Sequence, residues 1–140
     1  MTESTRFEQL LRAAAAEPQP QRLLFVFAQA QLPEGASAQQ RKRFELGQGG
    51  ALTPLACVDK APADLSTFDA LREEARNACP PWQALVIAAV SGQDGQPPSS
   101  ALVDSSMHAM VEAVRVGRLG NYLILGPAGE PLQLSKASPG

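Results

Sequence analysis

The sequence contains few of the side chains from which catalytic and metal sites are usually built. One histidine and two cysteines occur among 140 residues. The spacing between Cys57 and Cys79 fits no zinc or redox motif. We therefore expect no bound metal and no cofactor, and no catalytic residue can be named from a motif. This composition favours a protein that is not an enzyme, without deciding the question.

Neither a strong net charge nor a long apolar run is present. The formal net charge is -2 and charged residues make up 19% of the chain, which predicts no nucleic-acid partner and no binding to an anionic membrane. The apolar runs are too short to span a bilayer. Glu3 and Glu8 stand near the N-terminus, where a signal peptide would carry positive charge. These features predict a cytoplasmic protein.

Two continuous apolar runs are the strongest structural signal in the chain. Residues 23–28 (LLFVFA) and 84–90 (ALVIAAV) are rich in Val, Ile, Leu and Phe. Such runs are typical of strands that helices cover on both faces. We expect them to be neighbouring central strands, and right-handed crossover connections predict a mostly parallel sheet. A length of 140 residues suits one domain, so we predict a single α/β domain over residues 1–140.

Capping residues, prolines and glycines divide the rest of the chain into about four helices and further strands. Helices are predicted at residues 5–16, from 37 to before Gly47, from about 66 to before Pro80, and at 101–116. Strands are predicted at 22–29, 51–58 and 84–90, and Pro54 places the second of them at a sheet edge or a bulge. Residues 122–125 and 132–134 flank a glycine- and proline-containing turn and predict a C-terminal antiparallel hairpin. The expected architecture has four or five strands in two or three layers.

A candidate ligand site follows from the parallel sheet, because ligands in open α/β sheets bind beyond the carboxyl ends of the strands. The residues that follow two of the predicted strands carry charged, amide and hydroxyl groups, and they form the candidate site: Asp59, Lys60, Ser91, Gly92, Gln93 and Asp94. The loop from Ser91 leads into a predicted helix whose free N–H groups could hold an anion. Because this loop matches no phosphate-binding motif and Asp94 would repel an anion, an ordinary surface loop is the alternative.

Two further residues carry reactive groups. Cys57 lies close to Lys60 in the sequence, and it would be a nucleophile if Lys60 lowered the pKa of its thiol. Because the neighbours of Cys57 are apolar, we instead expect an inert thiol buried in the core, and we expect both cysteines to be reduced. His108 follows Asp104 by one helical turn, so it is either an oriented base or half of a surface ion pair.

Three segments carry a resemblance to known proteins. They are RLLFVFAQAQLP (22–33), RFELGQGGALTPLACVDKAP (43–62) and WQALVIAAVSG (82–92). Together they resemble a small proteobacterial family of about this length, whose members often bear the label ribonucleotide reductase subunit alpha. The large reductase subunit needs a thiyl-radical cysteine and a pair of reducing cysteines, whereas this chain has two cysteines in all. The resemblance therefore implies no catalytic residues, and at most a role as an accessory of a reductase.

Three functions stay open on the sequence alone. The first is a non-enzymatic interaction module, with a homodimer as its form, because the proline-containing strand and the terminal hairpin leave sheet edges to be covered. The second is a domain that binds a small ligand or anion at the candidate site. The third is a minor enzyme built on Cys57 or His108. The basic run from Arg41 to Arg43 predicts a solvated helix face, with an acidic partner as the alternative.

Overall fold

The computed structural model describes residues 5–31, 35–45 and 51–132. Within these residues the chain forms four α-helices, one short 3-10 helix and four strands. In chain order the elements are α1 (Arg6–Ala16), β1 (Gln21–Gln31), α2 (Ala38–Glu45), β2 (Ala51–Lys60), the 3-10 helix (Pro62–Asp64), α3 (Phe68–Ala78), β3 (Ala84–Ser91), α4 (Ser100–Val116) and β4 (Leu123–Leu125). Helices and strands alternate, which agrees with an α/β protein in general.

The sheet is antiparallel throughout, so the prediction of a mostly parallel sheet is wrong. The strand order is β2-β1-β3-β4, and each neighbouring pair runs in opposite directions. The two apolar runs do form neighbouring central strands, β1 and β3, as predicted. A continuous apolar run shows that both faces of a strand are covered, but it carries no information about the direction of the neighbouring strand. Strands that run the same way are separated by one strand between them: β2 and β3 by β1, and β1 and β4 by β3.

The connection from β1 to β2 explains why the crossover argument failed. A crossover helix packs on a sheet face, but the side chains at positions 38–43 of α2 are all exposed. The prediction of a polar, solvated helix was correct, and that polarity is a sign that α2 covers no sheet face. Without a packed helix between them, β1 and β2 pair as the arms of a long hairpin.

Helices cover both faces of the sheet and create three layers. The odd-numbered residues of β1, such as Phe25, pack on what we call the first face, against α1 and α3. The even-numbered residues, such as Val26, pack on the second face, against α4. This alternation follows from the two-residue period of a strand. The phenylalanine cluster of the first face joins Phe7 of α1 to Phe68 of α3, with ring centroids 5.5 Å apart.

Side-chain caps fix the helix ends close to where the sequence predicts them. Thr5 accepts a hydrogen bond from the backbone N–H of Glu8, and Ser37 and Gln40 form a reciprocal capping box. Thr67, rather than Ser66, caps α3. Gly117 ends α4 with a φ of 76°, a left-handed conformation that glycine adopts without strain.

The C-terminal hairpin is visible in its first half. β4 ends at a turn in which the N–H of Gly126 donates to the carbonyl of Glu130 over 2.8 Å. The N–H of Leu132 then donates to the carbonyl of Ile124. The rest of the predicted second arm, residues 133 and 134, lies outside the described residues. Among the helices in the described ranges, none has the length and hydropathy needed to cross a membrane.

Candidate functional site

The antiparallel sheet still brings the predicted ligand residues to one end. Lys60 of β2 lies opposite Leu23 of β1, and Ser91 of β3 lies opposite Gln21. The carboxyl ends of β2 and β3 therefore flank the start of β1. We call this the Lys60 end of the sheet, and the opposite end, where β1 finishes, the Gln31 end.

Two of the three charged residues of the candidate ligand site, Asp59 and Lys60, are held in ion pairs. The Nε of Arg22 lies 2.6 Å from Oδ2 of Asp59, and the Nζ of Lys60 lies 3.0 Å from Oε2 of Glu74. All four side chains keep partial contact with water, so each pair contributes no more than about 1 kcal/mol to stability. Asp59 and Lys60 therefore each have an opposite charge beside them, whereas Asp94 has no ion-pair partner among the described residues.

The loop after β3 is a tight turn tied to the chain before β1. Asp94 and Gly95 have positive φ values of 54° and 77°, and Gln93 and Gln96 exchange backbone hydrogen bonds of 3.1 and 2.9 Å across them. The N–H of Gly95 also donates to the side-chain oxygen of Gln19 over 2.8 Å. Most donors of this loop are therefore used within the protein.

The amino end of α4 offers few free donors beyond this turn. Ser99 caps the helix by accepting from the N–H of Leu102 over 3.1 Å, and the two preceding residues are prolines, which have no N–H. A groove of about 230 Å³ lies there. Its lining consists of Ser91, Gly92, Gln93, Pro97, Pro98, Ser99 and Leu102. Ligand binding at this place stays a prediction.

The reactive residues belong to different elements of the fold. Cys57 is exposed, so the expectation that it is buried in the core is wrong; it lies on the edge strand β2, where neighbouring elements cover less of each side chain. Cys79 is partly buried, and this burial raises the pKa of its thiol. Both thiols are free, as predicted. His108 and Asp104 are both exposed on α4, without an ion pair between them.

No metal site is visible in the part of the chain that the structure describes. Within it, no three His, Cys, Asp or Glu residues are grouped so that they could hold an ion.

An apolar groove beside β2 is a feature that the sequence analysis missed. It has a volume of about 210 Å³ and lies between β2 and α3 on the first face. We call it the β2–α3 groove, and its lining residues are Phe27, Ala56, Cys57, Val58, Leu71, Glu74, Ala75, Ala78 and Cys79. Its only charged lining residue, Glu74, is the partner of Lys60. Pro54 was the available signal, because it predicted that β2 is an edge strand.

The outer edge of β2 carries free backbone groups next to this groove. The C=O of Ala28 accepts from the N–H of Gln83, so the backbone groups of Ala28 point toward β3. Backbone groups alternate in direction along a strand, so the N–H and C=O groups of the odd-numbered residues of β1 point toward β2. Val58, opposite Phe25, therefore bonds to β1, while the N–H and C=O groups of Cys57 and Asp59 point outward. No described segment pairs with this edge.

The first half of β2 is a poorer edge than the second. The register shifts between Phe27 and Ala28, so Leu55 of β2 has no partner and forms a bulge. Pro54 lies opposite Ala28, and its missing N–H falls on the outer side, where no ladder bond is lost. Residues 56–60 are the regular stretch at which another strand can pair.

Comparison with family models, with curated proteins and with solved structures finds no match for this chain.

Proposed function

We propose that the protein is a non-enzymatic interaction module that binds an extended polypeptide strand along residues 56–60 of β2. The observation that carries this proposal is the coincidence of two features at one place. The outward N–H and C=O groups of Cys57 and Asp59 form an unpaired edge, and the apolar β2–α3 groove runs beside it. Strand addition uses this combination of main-chain hydrogen bonds and side-chain pockets.

The groove indicates which kind of segment would bind. Side chains of an added strand alternate between the two sheet faces, so every second one meets the first face and the groove. Leu71, Ala75 and Val58 make the lining apolar, and the ion pair between Lys60 and Glu74 leaves no uncompensated charge at its rim. The expected ligand is an extended segment with apolar side chains at alternate positions.

The lack of interactions between the reactive side chains supports a role without catalysis. Cys57 lies on β2 and His108 on the exposed side of α4, and no hydrogen bond or ion pair joins either side chain to another among the described residues. The small-ligand alternative and the role as a reductase accessory stay predictions, since no contact in the structure favours either.

A selection of random displayed peptides on the immobilised protein tests this proposal. We expect enrichment of extended sequences with alternating apolar residues. Cys57→Pro removes the outward N–H at the centre of the edge and should weaken binding by about tenfold or more, the effect of about 1 to 1.5 kcal/mol for a lost hydrogen bond. Cys57→Ser keeps that N–H and is the matched control.

A second variant guards against loss of the fold. Ala78→Trp fills the exposed side of the groove without changing the strand, and it should also weaken binding. Circular dichroism melting shows which variants remain folded. The proposal is wrong if no sequence is enriched, or if the enriched peptides bind the folded Ala78→Trp and Cys57→Pro variants as well as the wild type.

A further inference from the structure

We infer that the strand added at β2 is the β2 of a second copy of this chain, paired antiparallel about a two-fold axis at Val58. This inference rests on the proposed function and names its partner. Two identical edges can satisfy each other only if their register, their side chains and their surrounding charges are mutually compatible. All three can be checked against the described residues.

Of the registers open to this edge, the one centred on Val58 keeps the most residue pairs within the regular stretch 56–60. When the two-fold axis passes through Val58, the outward N–H and C=O groups of Cys57 lie opposite those of Asp59 in the second copy. On the other side of the axis, Asp59 lies opposite Cys57 of the second copy in the same way. Both pairs lie within residues 56–60. Centring one residue earlier, on Cys57, would oppose Asp59 to the bulged Leu55 and spoil the ladder.

This pairing also joins the two apolar grooves. Directly opposite residues of an antiparallel pair lie on the same sheet face, so the first faces of the two copies become continuous. The two Val58 side chains then meet across the axis beside the two β2–α3 grooves. The small Ala75 and Ala78 on the groove side of α3 leave space for these side chains. Each Glu74 enters the interface already paired with its own Lys60.

Charge complementarity is the observation that favours a second copy over an unrelated peptide. α2 connects the carboxyl end of β1 to the amino end of β2, so its basic run belongs to the Gln31 end of the sheet. Arg41, Lys42 and Arg43 are exposed, and no ion pair within the described residues involves them. The protein therefore carries three basic side chains without ion pairs on one helix at this end of its free edge.

Acidic residues lie at the other end of the same edge. Asp64 of the 3-10 helix and Asp69 of α3 follow the carboxyl end of β2 and are both exposed. Asp69 contacts Arg72 at 3.2 Å, whereas Asp64 has no ion-pair partner among the described residues. Antiparallel pairing at Val58 brings the amino end of the second copy's β2 to the carboxyl end of this β2, from which the chain continues to these carboxylates. Each basic α2 is thereby brought toward the acidic end of the other copy, twice in one dimer.

A charge exchange tests this arrangement. Lys42→Glu/Arg43→Glu reverses the basic end, and Asp64→Lys/Asp69→Lys reverses the acidic end. Sedimentation velocity should show a wild-type dimer, and each variant alone should dissociate more easily by about tenfold or more, from about two lost pairs at each of two contacts. An equimolar mixture should restore the dimer, because each of its two contacts is again between opposite charges.

Two exposed arginines outside the proposed interface provide the control. Arg12→Glu/Arg118→Glu makes the same change in net charge as the basic reversal and should leave dimerisation unchanged. Cys57→Pro and Ala78→Trp should give monomers, with circular dichroism confirming that they are folded. Raising the salt concentration should weaken the wild-type dimer, since exposed charges are screened.

Each failure has a distinct meaning. A mass of 14.8 kDa at every concentration up to the high micromolar range overturns the second copy as partner, while peptide selection still tests the binding edge separately. A dimer that persists in the folded Cys57→Pro and Ala78→Trp variants overturns the use of β2. A mixture of the two reversed variants that stays monomeric overturns the proposed register. If removal of residues 133–140 is needed for dimerisation, the chain's own terminus is the occupant and the inference is also wrong.

Discussion

Replacing Gly92 by Ala should destabilise the protein by about 2–4 kcal/mol. A Cβ at this position would lie 1.8 Å from the carbonyl oxygen of Gln96, and contacts below 3.0 Å are essentially never observed. The oxygen therefore has to move by about 1.2 Å. That oxygen accepts from the N–H of Gln93, and Gly92 itself donates to Pro20 over 2.8 Å. Losing these two backbone hydrogen bonds, at about 1 kcal/mol each, and adding overpacking of about 1 kcal/mol gives the stated range.

Urea unfolding followed by circular dichroism measures this loss, and the melting temperature should fall by about 10 °C. Gly95→Ala is the matched control in the same turn. A Cβ on Gly95 meets no atom within 4 Å, so only its φ of 77° is unfavourable for alanine, at about 1 kcal/mol. If Gly92→Ala costs no more than Gly95→Ala, the close contact with Gln96 does not exist and the turn after β3 is not the rigid structure described above.

Two further predictions follow from burial. In dilute solution at neutral pH, a bulky thiol reagent should modify the exposed Cys57 quickly and Cys79 slowly. The reason is that burial raises the pKa of the Cys79 thiol and lowers its thiolate fraction. A fast reaction that is still observed in Cys57→Ser would contradict this order. Phe7→Ala should lower the free energy of unfolding by about 3–5 kcal/mol, because Phe7 is fully buried and its ring centroid lies 5.5 Å from that of Phe68. A loss below about 1 kcal/mol, or one equalled by the exposed-site variant Arg12→Ala, would show that α1 is not anchored by this side chain.

The relative direction of neighbouring strands in the sheet was the main feature that the sequence analysis could not predict. The run at residues 23–28 shows that both faces of β1 are covered, and it would look the same beside a parallel or an antiparallel neighbour. Direction depends on where the connecting helix packs, and α2 packs on neither face at its described positions. Its lack of an apolar stripe was visible in the sequence, and it was the clue that the crossover rule did not apply.

The prediction that Cys57 is buried was wrong for a related reason. Its neighbours in the sequence are apolar, and a central strand with those residues would have buried the thiol. Pro54 had already placed β2 at an edge, where one side of each residue meets no further strand. The same fact leaves the candidate binding surface open, since no described element continues the sheet beyond β2, beside the β2–α3 groove.

The sequence by itself determined the local features of this protein: the two central strands, the helix ends at Thr5, Ser37 and Gly117, and the edge position of the strand that contains Pro54. These depend on a few neighbouring residues, through periodicity, capping and the missing proline N–H. Tertiary structure decided the antiparallel order, the ion pairs that occupy Asp59 and Lys60, and the groove between β2 and α3. Each of these depends on residues far apart in the chain, such as Phe27 and Ala75, which line the same groove. No pattern of neighbouring residues in the sequence predicts that they come together.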